Sequence, residues 1–141
     1  MAKIIVKDQP IKTINKDGID YICITDIAKQ KNGEDPNGVI GNWMRNRNTI
    51  EFLGIWESLY NLNFNPIEFE GFRKEAGLNA FTMSPTRWVE STNAIGLKAI
   101  SGRYGGTYAF SDIAFEFASW VSVEFKLYLV REFQRQISYN I

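Results

Sequence analysis

Arg103 is the side chain most suited to chemistry with a charged partner. It stands in the run GRYGGTYAF, where Gly102, Gly105 and Gly106 let the backbone take φ > 0 or approach a surface closely. Tyr104 follows it directly, and Thr107 and Tyr108 come just after the glycines. From Asn93 to Ser111 the chain holds two bases, Lys98 and Arg103, and no acid. Guanidinium, ammonium and hydroxyl groups on a narrow hairpin are donors to phosphate oxygens, so the stretch suits an anionic polymer. The plain structural reading is a tight hairpin whose aromatic rings cap the core. A second group, Arg45-Asn46-Arg47-Asn48, crowds a predicted helix end. Asn amides can bond adenine edges there and Arg a base or phosphate. The same arginines also serve simply as partners of the helix dipole. Asn93, at another predicted helix end, is a further candidate for a base or phosphate contact.

Other chemistries find less material. The chain has no His, the usual base of a nucleophilic triad and the commonest metal ligand, and its one Cys, Cys23, cannot build a zinc site. Carboxylates such as Asp26 and Asp112 could hold magnesium for a nuclease. Both read instead as first-turn helix residues favoured by the dipole. The expectation is a protein that is not an enzyme, with no cofactor and no metal.

The elements that must position these residues follow from capping and periodicity. Ile4 to Val6 and Ile11 to Ile14 read as short strands broken at Pro10. Asn15-Lys16-Asp17-Gly18 reads as a turn, and Ile19 to Ile24 as a strand covered on both faces. Thr25 reads as the cap of a short helix. Asp35-Pro36, Asn65-Pro66 and Ser84-Pro85 each read as an N-cap followed by proline at the first helical position. Asn48 or Thr49 is the expected cap of the next helix, whose stripe is Leu53, Trp56 and Tyr60. Gly77 reads as a helix stop. After the hairpin, a helix from Ser111 carries Ile113, Phe117, Trp120 and Val121. Ser122 caps a last helix with Phe125, Leu129, Phe133 and Ile137, ending in a loose tail from Ser138. Ile24-Thr25-Asp26-Ile27-Ala28 is echoed by Phe110-Ser111-Asp112-Ile113-Ala114, which shared capping chemistry explains without a duplication. All four tryptophans fall on or near apolar stripes, so each is expected to be mostly buried and to cost about 3–5 kcal/mol when changed to Ala.

The stretch SPTRWVESTNAIGLKAISGRYGGTYAFSDIAFEFASWVSVEFKLYLVREFQR resembles a KilA-N domain, a module of phage and large DNA-virus proteins. The earlier pieces ITDIAK, NWMRNRNTIEFLGIWE and FNPIEFEGFRKEAGLNAFTMSP fit the same family, so the likeness runs from about Ile24 to Arg135. It implies a winged-helix variant akin to the fungal cell-cycle DNA-binding fold. It also implies duplex DNA as partner, often in regulatory or antirepressor-like proteins. On that reading the hairpin Leu97 to Ala109 is a wing. Arg103 is its main charged contact, Tyr104, Thr107 and Lys98 add phosphate or sugar contacts, and Arg45, Arg47, Asn48 and Asn93 approach from helix ends.

Composition bounds both readings. The chain of 141 residues reads as one domain, with a short N-terminal hairpin at 1–24 and a core at 25–137. The fold class is α+β, mostly helical, with two short β-hairpins beside about six or seven helices. No signal-like or membrane-length run is present, and the expected compartment is a reducing cytoplasm, bacterial or host. Net charge is zero, so few phosphates can be neutralised, and binding is expected to be modest or to need a homo-oligomer. Charge is segregated: Pro36 to Ile50 carries only Arg45 and Arg47, and Glu51 to Glu70 only Glu51, Glu57, Glu68 and Glu70. The acidic stretch supports the alternative reading, a protein-interaction module that docks on another regulator.

Overall fold

The structure, a computed structural model, describes residues 2–103 and 105–139, with side chains through residue 136. Lys7 and Asp8, with φ of 50° and 68°, turn the chain between β1 (Ala2–Val6) and β2 (Gln9–Lys16). Pro10 therefore lies inside β2, where the sequence suggests a break. Its missing N–H costs nothing, because it lies on the edge that β3 (Ile19–Cys23) does not reach; their pairing begins at Thr13. Two residues on, the Lys12 N–H on that same edge is taken by Asp26 Oδ2 at 2.9 Å.

Asp17 and Gly18, at φ of 56° and 81°, make the expected turn into β3. β4 (Leu97–Ile100) and β5 (Gly106–Phe110) form the Gly-rich hairpin. The two hairpins are not separate: β3 pairs with β5 through Tyr21–Phe110, Ile22–Ala109 and Cys23–Tyr108. The result is one antiparallel sheet in the order β1-β2-β3-β5-β4. One sheet face sends Ile4, Val6, Ile11, Ile22, Leu97 and Ala109 into the main core. The other gathers Tyr21, Cys23 and Tyr108 into a smaller cluster. That is why the middle strand is apolar on both sides. Cys23 is fully buried, and burial pushes its thiol above the ordinary value.

β3 runs directly into α1 (Ile24–Ala28) and β5 into α6 (Ser111–Val121). Under the five-residue echo Ile22 corresponds to Tyr108 and Cys23 to Ala109. Ile22 nevertheless faces the main core and Tyr108 the smaller cluster, so the echo does not extend into the strands; the two hairpin–helix units leave the antiparallel β3–β5 pair at opposite ends. Capping is not what they share. The N-cap positions are Cys23 and Phe110, neither with a side-chain cap bond. Thr25 Oγ1 instead accepts the Thr107 N–H at 2.9 Å.

Three caps stand where the sequence puts them. Asp35 opens α2 (Pro36–Met44), Asn65 opens α4 (Pro66–Glu75) and Ser84 opens α5 (Pro85–Thr92), each followed by proline. α3 (Arg47–Tyr60) starts earlier than expected, with Asn46 as an N-cap whose side chain makes no cap bond. Asn46 Nδ2 is held by the Asn42 and Trp43 carbonyls, so neither Asn48 nor Thr49 caps α3. Gly77, at φ 89°, follows α4 as its stop, and Asn93, left-handed at φ 59°, ends α5. Ser122 Oγ accepts the Phe125 N–H at the start of α7 (Val123–Tyr139). α7 continues to Tyr139 in place of the expected loose tail; the side chain of Ile137 lies outside the described residues.

Trp43, Trp56 and Trp88 are buried, but Trp120 is 38% exposed. It stacks on Phe117 at the rim of α6, with Lys31 Nζ 5.1 Å over its ring. The buried face of α6 is made by Ile113, Ala114, Phe117 and Ala118, all fully buried. Successive residues turn about 100°, which puts Trp120 at the edge of that face.

Asp26, 2% exposed, accepts from Lys12 Nζ at 2.9 Å and Lys29 Nζ at 3.2 Å. Burial works against the carboxylate, but the Lys12 side chain and backbone N–H outweigh it and hold its pKa below the ordinary value. A depressed carboxyl pKa stabilises the fold above the unfolded value, and that stability is lost as pH falls through the folded one. We expect parent and Asp26→Asn to differ most in urea melts near neutral pH, with the gap closing in acid below about pH 3.8.

Candidate nucleic-acid interface

The hairpin is fixed at its base by Glu57 of α3. Glu57 is fully buried and takes the N–H of Ile95 at 2.9 Å, the N–H of Gly96 at 2.8 Å and the Asn61 amide at 2.9 Å. Gly96 is required: a Cβ there would lie 2.5 Å from Ile113 Cδ1 and 2.8 Å from Glu57 Oε2. The Phe110 N–H returns to the Gly96 carbonyl at 2.9 Å, and the Tyr21 hydroxyl donates to the Ile95 carbonyl at 3.1 Å. Burial pushes the Glu57 carboxyl above its ordinary value, against the two backbone N–H groups, Asn61 and Lys98, which pull it down. The tip is held further out, by the Thr107 N–H on Thr25.

Along the hairpin the candidate side chains differ in what they can reach. Arg103 is exposed at the tip, beside Gly102 with φ of 98°. Lys98 is half-buried on the outer sheet face, its Nζ 5.2 Å from the centre of the Tyr21 ring. Thr107 points to the other face and is 7% exposed, so its backbone and not its hydroxyl anchors the hairpin. Tyr104 lies outside the described residues.

The helix-end candidates fall elsewhere. Arg45 is exposed but donates to the carbonyls of Phe81 at 3.2 Å and Asn79 at 3.1 Å, tying down the loop after α4. Arg47, at the start of α3, pairs with Glu51 at 3.3 Å. Asn48 is exposed one residue on, at the rim of a hollow shared with Trp43, Glu116 and Trp120. Asn93 sits beside the loop after α3, its carbonyl accepting from Asn61 at 2.8 Å. The seven predicted residues that are described thus divide among the hairpin, the α2–α3 corner and the end of α5.

What joins the hairpin to the α2–α3 corner is α2 itself. Its first turn lines a groove of about 360 Å³ against the hairpin, with Asn37 and Ile40 facing Ile100, Gly106 and Thr107, and Ser84 and Thr86 closing one end. Among the described residues no ionisable side chain lines that groove. Along the outer face of α2 run Asn37, Gly38, Gly41, Asn42 and Arg45, with Asn37, Asn42 and Arg45 exposed. Within α2 nothing on this face is larger than Asn, and the acid beside it, Asp35, is engaged as the cap at Gly38. Gly38 has a structural reason: a Cβ would strike the Asp35 cap. Gly41 has none, since a Cβ there meets nothing within 4 Å. A helix that keeps an interior glycine without a packing cause gives up about 1 kcal/mol relative to Ala. Sequence reasoning read this segment for its Asp35 cap and for Arg45 and Arg47, the only charges from Pro36 to Ile50, and so passed over Asn37 and Asn42. The available signal was a charge-free helix with two glycines on one side.

The two carboxylates weighed for magnesium are differently placed. Asp26 is enclosed by Lys12 and Lys29, and Asp112 is exposed and accepts from Trp56 Nε1 at 3.4 Å. Among the described residues no group of three or more metal-ligating side chains comes together, and no helix is long and apolar enough to cross a membrane.

Compared with known families, the sequence matches the KilA-N domain over residues 5–139. KilA-N domains are generally associated with DNA binding. No curated protein and no solved structure matches the chain.

Proposed function

The chain belongs to the KilA-N family, and from that premise we propose that it binds duplex DNA through the hairpin and the outer face of α2, as a regulatory, antirepressor-like domain. The carrying observation is the surface that runs from Arg103 along an uncharged groove to Asn37, Gly41 and Asn42, with the Asp35 carboxylate at its edge engaged as the cap of α2. Arg103 meets phosphate at the tip. Asn37 and Asn42 each present an amide that both donates and accepts, the equipment for an adenine edge. Gly41 lets the helix backbone approach the duplex. The hairpin then acts as a wing, and Lys98 adds its charge from the outer sheet face. With zero net charge the domain neutralises few phosphates, so tight binding needs more than one copy.

Affinity for duplex DNA measured against salt tests this. Arg103→Ala is expected to weaken binding and to lower the slope of log K against log salt by about one unit, while melting like the parent. Asn42→Ala is expected to relax preference at one base position, at about 1–3 kcal/mol, with the slope unchanged. A parent that does not bind duplex even at low salt ends the proposal. Arg45→Ala should act first on stability, by about 1–3 kcal/mol, because two loop carbonyls lose their donor.

Gly41→Ala separates fold from function. Filling open space on a helix with Ala is expected to raise stability by about 1 kcal/mol. The same methyl, standing between helix backbone and duplex, is expected to weaken binding. A variant that gains stability and binds DNA like the parent would show that α2 does not approach the duplex at this point.

A further inference from the structure

α3 presents a second surface, which no part of the DNA reading uses. Ile55 is 53% and Leu59 70% exposed, and half-buried Phe52 lies one turn before them. Their spacing of three and four residues forms a single seam on the side of α3 away from the core. Tyr60, 61% exposed, extends the patch over Trp56 at a ring distance of 5.0 Å. Seams of this spacing receive another helix laid alongside.

The flanks indicate which helix. On the α6 side stand Asp112 and Glu116, both exposed, with no cation in ion-pair distance of either among the described residues. On the α4 side stand Glu51 and Glu70, linked to Arg47 and Arg73. Four carboxylates thus border the seam against two guanidinium groups. A second copy laid antiparallel on this face would bring Asp112 and Glu116 against their own counterparts, which is repulsive, and one laid parallel would bring them against Arg47 and Arg73, whose charges Glu51 and Glu70 already engage. A helix with lysines or arginines beside an apolar stripe meets opposite charge on the open α6 flank.

We propose that the Phe52–Ile55–Leu59 seam docks a basic amphipathic helix of a partner protein. Apolar side chains of the partner fill the seam, and its basic residues lie against Asp112 and Glu116. The proposal stands independently of DNA binding.

The test uses the full chain and a labelled peptide of about 18 residues, with Leu at i, i+3, i+4 and i+7 and Lys elsewhere on an Ala background, long enough to hold a helix. A counterpart carries Glu in place of Lys. Fluorescence anisotropy is expected to show the Lys peptide binding and the Glu peptide not binding. Ile55→Ser and Leu59→Ser are each expected to weaken the Lys peptide about tenfold. Both residues are exposed, so the variants should melt like the parent and keep its DNA affinity. Asp112→Asn with Glu116→Gln should reduce affinity and its salt dependence together. Failure of the Lys peptide to bind, or equal binding by parent and Ser variants, overturns the proposal. So does a parent that sediments as a dimer which Leu59→Ser dissociates, because the occupant is then a second copy.

Discussion

Trp88→Ala is expected to cost about 3–5 kcal/mol, a large fraction of the stability of a domain of this size. Trp88 is fully buried at the start of α5, with Phe64, Phe69 and Phe72 packed round it at ring distances of 6.1–6.2 Å. Phe69 cannot move in to fill the void, because it is already wedged against α3 where Gly54 leaves room for it. The void therefore persists, and its cost adds to the lost burial. The Trp88 indole N–H has no acceptor among the described residues. Trp88→Phe therefore removes an unsatisfied donor along with some volume and is expected to cost clearly less than the Ala change. Trp120→Ala, at the rim of α6, is expected to cost about 1 kcal/mol or less. Urea melts of the three variants rank them, and a Trp120→Ala midpoint shifted as far as that of Trp88→Ala would overturn this picture of the core.

The contrast between these tryptophans shows where the sequence was legible. Large apolar residues at helical spacing mark α3, though Tyr60 of its expected stripe proves exposed, and the Asp-Pro, Asn-Pro and Ser-Pro pairs fix three helix starts to the residue. Caps and proline geometry are local, so neighbours in sequence determine them. Trp120 and the sheet order are not local. Which side of α6 lies deepest depends on how closely α1 packs, and the signal is the pair of alanines that a search for large residues ignores. The pairing of β3 with β5 joins segments some 85 residues apart, and no turn signal reports it. The hairpin was the readable part of the candidate site, since its glycines and acid-free run are visible in the letters. Asn37 and Asn42 became visible only once α2 was seen lying beside that hairpin. The acidic stretch from Glu51 to Glu70 divides the same way: its charges are plain, but Glu57 proves to be buried and Glu51 and Glu70 are paired with arginines.

Glu57→Ala is expected to destabilise the domain by about 2–4 kcal/mol, from one buried backbone donor at about 1–3 kcal/mol and one partly buried donor at about 1 kcal/mol. The partly buried N–H of Ile95 and the buried N–H of Gly96 lose the Glu57 oxygens that accept them. Glu57→Gln keeps one oxygen for Ile95 and Asn61 but sets an amide NH2 against the Gly96 N–H, at about 1–3 kcal/mol. The pH dependence runs opposite to that of Asp26. Because burial raises the Glu57 carboxyl, the folded state binds its proton more readily than the unfolded chain does. Stability from this group is therefore greatest below the unfolded value near 4.5 and declines as pH rises through the folded value. The gap between parent and Glu57→Gln should accordingly widen as pH is lowered from neutral toward about 4.5. Hydrogen exchange at Ile95, Gly96 and the hairpin strands is expected to rise in both variants before the rest of the sheet opens, because the hairpin base is what the carboxylate holds. DNA affinity should fall with it, since Arg103 is carried on that hairpin. A Glu57→Gln protein with parental exchange at Ile95 and Gly96 would mean that the hairpin stands without its anchor.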